Sequence, residues 1–368
     1  MKLRHSVIFF AFALVAIVAF GLFMLLRKAP VLTAVSWAGA YGRAQTSALF
    51  IPYALRSGVD VHLAQYDGGL DQLRRRVKTG SYGWDVIDLE LPDAVAACRE
   101  GLLEHVDVRT LLAGPHGEPA ARDFIANAIG PCWVGSVVYS QVIAFMPGHF
   151  GSAPPVSAED FFDVAKFPGS RALRSSSPKL NLELALLADH VPPDKIYKVL
   201  SSPEGVNRAL AKLATLGTVA WWTRSADAVR MLADGRAAMA TVLNGDVYDA
   251  AAKGPVLQVI WDRQLYEMDV FGVPKGDPKS AMAFDFVRFA TTAPSLAQVA
   301  DWVPYGPARR SALESVTRNP ESGRAMTPYL PTAPQHFKTA FAVDDAWWLS
   351  HVREVMPVWQ RWQSSTNR

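Results

Sequence analysis

Val31-Leu-Thr-Ala-Val-Ser-Trp37-Ala-Gly-Ala-Tyr41-Gly-Arg-Ala44 is the stretch whose reading decides the fold. Val31 to Trp37 reads as a strand, with β-formers at Val31, Val35 and Trp37. Ala38-Gly39-Ala40 turns tightly, and Tyr41, Gly42 and Arg43 open a helix predicted to run to about Leu55. A strand that ends in small residues and feeds a helix leaves backbone N–H groups facing outward at the C-terminal edge of a sheet. Open α/β sheets bind ligands at that edge. Trp37 and Tyr41 flank the turn, either as rings bordering a ligand or as core rings.

The same alternation continues along the chain. Val59–Gln65 reads as a strand, and Gly68-Gly69 turns into a helix carrying Arg74-Arg75-Arg76. That basic run shares its helix with Leu70, Leu73 and Val77, and Asp71 is placed to pair with it, so it reads as a solvated helix face. Trp84–Leu89 is an apolar strand leading into Glu90, and Pro92 sits in the first turn of the next helix. Val137–Phe145 is a further strand. Pro147, Gly148, Pro154 and Pro155 then mark a linker, and Ser157 caps a helix with Val156 and Phe161 spaced as a hydrophobic staple. Ala238–Leu243 and Val256–Trp261 are strands, and Leu265–Val273 reads as a segment crossing back to the first half. The tail carries Trp347, Trp348, Trp359 and Trp362 and reads as a helix packed on the second half. Strands alternating with helices at these lengths predict mostly parallel sheets covered on both faces.

Taken in order, Trp37-Ala-Gly-Ala-Tyr41, Trp84-Asp-Val-Ile-Asp88, Gly101-Leu-Leu-Glu104, Leu243-Asn-Gly-Asp246, Asp269-Val-Phe-Gly-Val-Pro274 and Tyr305-Gly-Pro-Ala-Arg309 resemble bacterial periplasmic solute-binding proteins of the spermidine/putrescine type. The resemblance covers nearly all of the chain after residue 30, and it rests on the order and spacing of these motifs. It implies an α/β, two-lobed periplasmic-binding-protein fold of type II, with a ligand cleft between the lobes. It also implies a monomer that serves an ABC permease in the inner membrane. On this basis lobe 1 is expected to comprise residues 31–145 and 267–303, and lobe 2 residues 146–266 and 304–368.

Composition agrees with a two-lobed chain and narrows its partners. The chain has 368 residues, half of them apolar, which is more than one core usually holds. A net charge of +3 is too small for a nucleic-acid binder, which needs a concentrated basic face. Residues 1–30 read as a targeting segment: Lys2, Arg4 and His5 precede an uncharged run from Ser6 to Leu26, closed by Arg27 and Lys28. The run is long enough to span a bilayer and longer than the apolar region of most cleaved signals. The expectation is therefore export to the periplasm, with residues 6–26 cleaved or retained as a tether. An exported chain meets an oxidising compartment, so Cys98 and Cys132 are predicted to pair, two separate buried thiols being the alternative. The bridge would contribute roughly 3 kcal/mol by the chain-entropy account. No histidine lies at ligand spacing from either cysteine, so no metal site is expected, and no cofactor motif is present.

The candidate ligand-binding residues are Trp37, Tyr41, Glu90, Asn181, Glu183, Asp246, Glu267, Asp269 and Tyr305. The acids among them follow strands or lie at helix starts, and Glu267 and Asp269 share one face of a strand. An organic polycation needs carboxylates to replace the hydration of each ammonium, and rings along its methylenes. The resemblance makes Asp269 the principal ammonium partner, places Trp37 and Tyr305 at ring-stacking positions, and puts Asn181 and Glu183 near the family's acidic contacts. Ser176-Ser-Pro178 stands where the family has an acidic pair, and Leu243 and Glu267 stand where tryptophans are common. These departures lose rings and keep charge. The reading is a non-enzymatic binding protein for a small cation, most readily putrescine or spermidine. The alternatives are a periplasmic carbohydrate hydrolase that uses cleft carboxylates, or a tethered ligand sensor.

Overall fold

The computed structural model describes residues 29–254 and 256–366, so the expected export segment, including residues 6–26, lies outside the described residues. Among the described residues no helix is long and apolar enough to cross a membrane.

Among the described residues ten strands form one curled sheet: β1 (Val31–Ser36), β2 (Asp60–Gln65), β3 (Val86–Glu90), β4 (Val134–Phe145), β5 (Arg171–Arg174), β6 (Val219–Trp222), β7 (Met239–Leu243), β8 (Gln258–Gly272), β9 (Gly306–Pro307) and β10 (Phe341–Ala342). Their order is β2-β1-β3-β8-β4-β7-β5-β6, with β10 added to β8 and β9 to β4. Strands β1, β2 and β3 are mutually parallel and belong to one lobe; β5, β6 and β7 are mutually parallel and belong to the other. The antiparallel pair β4 and β8 runs between them and serves both.

The registers fix which way each lobe faces. Glu90, at the end of β3, pairs with Asp269, while Ile87 pairs with Gly272 at the end of β8, so β3 runs inward along the β4–β8 pair. Leu243, at the end of β7, pairs with the mid-strand Gln141, while Met239 pairs with Phe145. The C-terminal ends of both parallel sets therefore point at the same seam from opposite sides. Sheets bind ligands at such edges.

The buried side chains divide along the same seam. Val138 and Tyr266 belong to the first lobe's core, Ile143 and Leu265 to the second's, so the division runs through the shared strands themselves. Lobe 2's core is closed by the C-terminal helix Asp345–Thr366, which buries Trp347, Trp348 and Trp359 as its aromatic spacing suggested.

The opening stretch forms as read, with one addition. The helix Gly39–Gln45 continues through a π turn, Thr46–Phe50, into the helix Ile51–Ser57. Pro52 cannot donate to Ala48 and its ring crowds that carbonyl, and a wider turn just upstream accommodates it. Gly42 is required there, since a Cβ would sit 2.5 Å from the Trp37 carbonyl oxygen. Arg74 pairs with Asp71 and, through two hydrogen bonds, with Glu100, so the basic run is the solvated face its pattern indicated. Cys98 and Cys132 are joined by a disulfide within lobe 1.

Two local expectations are corrected. Ser157 forms its capping box with Asp160, but Val156 is exposed while Phe161 is buried, so the staple is not made. The segments Val256–Trp261 and Leu265–Val273 are not separate strands but one strand, β8. It bends at Arg263, whose φ is 51°, and Gln264 fixes the bend by donating to the carbonyls of Pro331 and His336.

Candidate functional site: an acidic seam between the lobes

On lobe 1's side the seam is built by β3 and β8. Directly paired residues of antiparallel strands share a face, as do residues two apart on one strand. Glu90 opposes Asp269, and Tyr139 opposes Glu267. Asp88 lies two residues before Glu90. Four carboxylates and Tyr139 therefore occupy one face of the β3–β8–β4 ribbon. A bulge aims the central acid: Gly135 pairs with Val270 and Val138 with Met268, so Ser136 and Val137 both stand opposite Asp269. Bulges re-aim side chains in this way beside functional sites.

Three tyrosines close around Asp269. The rings of Tyr41 and Tyr305 are 5.5 Å apart, and those of Tyr139 and Tyr305 6.1 Å. The Tyr41 hydroxyl lies 3.3 Å from Ser136 Oγ, and the Tyr139 hydroxyl 3.4 Å from Glu90 Oε1. Trp37 stacks at a tilt on Tyr66, 5.2 Å between centroids, and the Tyr66 hydroxyl donates to the Asp88 carbonyl at 2.6 Å.

The electrostatics of these acids are unusual. Asp88 is buried and accepts from Ser36 Oγ (2.9 Å) and Gln45 Nε2 (2.6 Å), both through Oδ2, while its Oδ1 has no partner within hydrogen-bond distance and the Tyr41 hydroxyl is the further donor that acts on the carboxyl. Asp269 is 5 % exposed, and its Oδ1 likewise has none. Burial pushes the Asp88 carboxyl up to about 7. Burial, and then the charges of Asp88, Glu90 and Glu267, hold Asp269 well above the usual carboxylate range. Burial and the Glu267 charge also raise Glu90. A buried polar atom without a partner costs about 1–3 kcal/mol, and more when it is charged. Two such oxygens on adjacent strands form an acceptor site for a cationic donor.

Lobe 2's side of the seam differs. Glu183 is buried but fully engaged: it accepts from Leu180 N (2.8 Å), Tyr197 OH (3.2 Å) and Trp348 Nε1 (2.5 Å). Asn181 donates to the carbonyls of Arg174 and Ser177, both at 2.9 Å. Asp246 is half-buried in the first turn of the helix Asn244–Lys253 and bonds Ser225. Its field and that of Asp269 both reach Tyr305. The structure thus gathers Tyr41, Glu90, Glu267, Asp269 and Tyr305, with Trp37 at the rim and Asp246 on the facing edge. Glu183 it ties into lobe 2's own bonding, and Asn181 by its amide nitrogen alone, the buried Asn181 Oδ1 having no partner.

Several seam residues escaped the sequence. Asp88 interrupts the apolar run Val86-Ile-Asp-Leu89, and a lone acid inside a buried strand was the available signal. Tyr139 and Gln45 gave none. Arg174 ends β5, and Arg224 follows β6 by two residues with its side chain mostly exposed. Both lie at lobe 2's seam-facing edge. Lys179, in the loop after β5, bonds Glu267 and lies 2.6 Å from Asp345 Oδ1.

Two lobes joined by shared strands, with a polar seam at the C-terminal edges of both, define a solute-binding fold. The profile of the bacterial extracellular solute-binding proteins matches residues 49–324, and the chain belongs to that family, the solute-capturing components of ABC importers, which act outside the cytoplasm. It is 34 % identical over 332 residues to a gamma-aminobutyric acid (GABA)-binding protein of Pseudomonas aeruginosa, covering 90 % of each chain. Among solved structures it resembles an ABC transporter substrate-binding protein of Bradyrhizobium japonicum (30 % identity, 91 % of this chain and 99 % of that one, TM-score 0.73). It also resembles the Atu4243–GABA receptor (28 % identity, 90 % and 97 % covered, TM-score 0.72).

Proposed function

We propose that this protein captures a small ω-amino acid of the GABA kind and delivers it to an inner-membrane permease. The ammonium binds Asp269 and Asp88, with Tyr41, Tyr139 and Tyr305 around the methylenes and Glu90 adding field. The carboxylate meets the arginines of the facing edge, Arg174 and Arg224, whose planar forks suit it. Closure of the lobes over the solute would follow from bending in β4 and β8, with the body acting as a monomer. The observation that carries the reading is the pair of buried, unpartnered carboxylate oxygens, Asp88 Oδ1 and Asp269 Oδ1. The names of the two GABA-binding relatives support the same solute class.

A polyamine is the second reading. The seam holds more acids than one ammonium needs, which favours a dication. Calorimetric titration of the purified protein with GABA, 5-aminovalerate, putrescine and spermidine separates the two. The expected outcome is micromolar or tighter binding of GABA, with both polyamines at least about tenfold weaker, a difference of 1.4 kcal/mol. Tight binding of putrescine without GABA binding would establish the polyamine reading instead.

A further inference from the structure

Lys179 is the one cation that forms an ion pair with any of the seam acids Asp88, Glu90, Glu267, Asp269 and Asp345 among the described residues. It comes from lobe 2 and crosses to the shared strand β8. Its ammonium sits between Glu267 and Asp345, which are themselves mostly buried. Chemically it is a primary ammonium on four methylenes, the same group that an ω-amino acid or a diamine presents.

The loop that delivers it is held firmly. Leu180 has a φ of 73°, a left-handed conformation that costs a branched residue about 1–2 kcal/mol. Glu183 fixes it by accepting from the Leu180 N–H, and Asn181 clamps the carbonyls of Arg174 and Ser177. Asn181 and Glu183 thus act as positioning residues for Lys179.

The spacing gives this placement a meaning. Glu267 and Asp269 are two residues apart on one strand face, about 6.6 Å at the usual rise. A four-carbon diamine has a comparable reach. The seam therefore contains two ammonium subsites side by side, one open at Asp269 and one already filled at Glu267. We propose that Lys179 is an internal ammonium occupying the second cation subsite, and that it restricts the seam to solutes with one ammonium. This inference rests on the ω-amino acid reading of the Asp269 site. It also accounts for the acid surplus that otherwise favours a polyamine.

The test is titration of GABA and putrescine into the wild type and three variants, with melting temperature and circular dichroism as folding controls. In Lys179→Met the ratio of putrescine to GABA affinity is expected to rise about 10–100-fold, the worth of one charge-assisted hydrogen bond to Glu267. Lys179→Met/Glu267→Gln removes the vacated acceptor and should lose that gain. Lys179→Met/Asp345→Asn removes one charge of each sign and should keep it, which serves if the single variant does not fold. A folded Lys179→Met, or the charge-balanced double variant, that binds GABA with no rise in the ratio overturns this inference alone. A wild type that already binds putrescine as tightly as GABA also overturns it. A wild type that binds neither probe overturns the ω-amino acid reading, and this inference with it.

Discussion

The two edges that face each other across the seam carry buried acids of opposite kinds. In lobe 2, Glu183 is fully buried and accepts three hydrogen bonds, from a backbone N–H, a tyrosine and a tryptophan. In lobe 1, Asp269 is nearly as buried, yet its Oδ1 accepts none. Burial alone does not distinguish a structural acid from a binding one. The distinction lies in whether the protein supplies the donors. Glu183 uses its oxygens to hold a loop and a helix, whereas Asp269 keeps one oxygen that no protein donor takes, the one the proposed function assigns to a guest.

The largest effect expected from this contrast is on Asp269→Asn. Removing one charge of a desolvated ion pair costs about 2–5 kcal/mol, so GABA affinity should fall by about 30-fold or more. The same change relieves an uncompensated buried charge. The ligand-free variant should therefore melt at or above the wild-type temperature at pH 8. Loss of affinity together with a lower melting temperature in scanning calorimetry would mean that Asp269 is structural.

Glu183→Ala should show the reverse pattern. It strands the N–H groups of Leu180 and Trp348 in a dry interior and opens a cavity, which together cost about 2–4 kcal/mol of stability. The melting temperature should drop by several degrees, while GABA affinity changes by less than about tenfold, because the Glu183 oxygens already accept three hydrogen bonds from the protein. A binding loss as large as that of Asp269→Asn would move Glu183 into the solute site.

That pair of residues also shows where a sequence stops being readable. Both acids were visible as candidates, because each follows an element that ends at the seam. What separates them is a partner: Trp348 lies 165 residues from Glu183, and no local pattern connects the two. The alternation of strands and helices and the tryptophan-rich final helix depend on period and turn chemistry, which are local, and they were legible. The bulge of Ser136 and Val137 opposite Asp269, the clamp of Ser36 and Gln45 on Asp88, and the reach of Lys179 to Glu267 depend on register between distant strands. Those could not be read. Asp88 lies between the two cases: an acid within Val86-Ile-Asp-Leu89 signals its own burial cost, though not its partners.

The third expected effect is that of pH, and it has opposite signs in the free and bound states. Burial raises Asp88 to about 7 in the free protein, from an unfolded value near 4. A group whose carboxyl is raised on folding contributes stability that is complete below its unfolded value and is lost as pH rises through its folded one. The ligand-free protein should therefore gain stability from Asp88 as pH falls from 8 to 5, and Asp88→Asn should flatten that slope. Ligand binding runs the other way. The ammonium favours ionised Asp88 and Asp269, so binding expels protons from both, and affinity weakens as pH falls through the same window. The loss approaches tenfold per pH unit for each carboxyl that must give up a proton. Titrations at pH 7 in buffers of different ionisation enthalpy should report net proton release. Net proton uptake, or an affinity that holds steady between pH 8 and 5.5, would mean that the solute's ammonium rests on some other group than the two unpartnered aspartates.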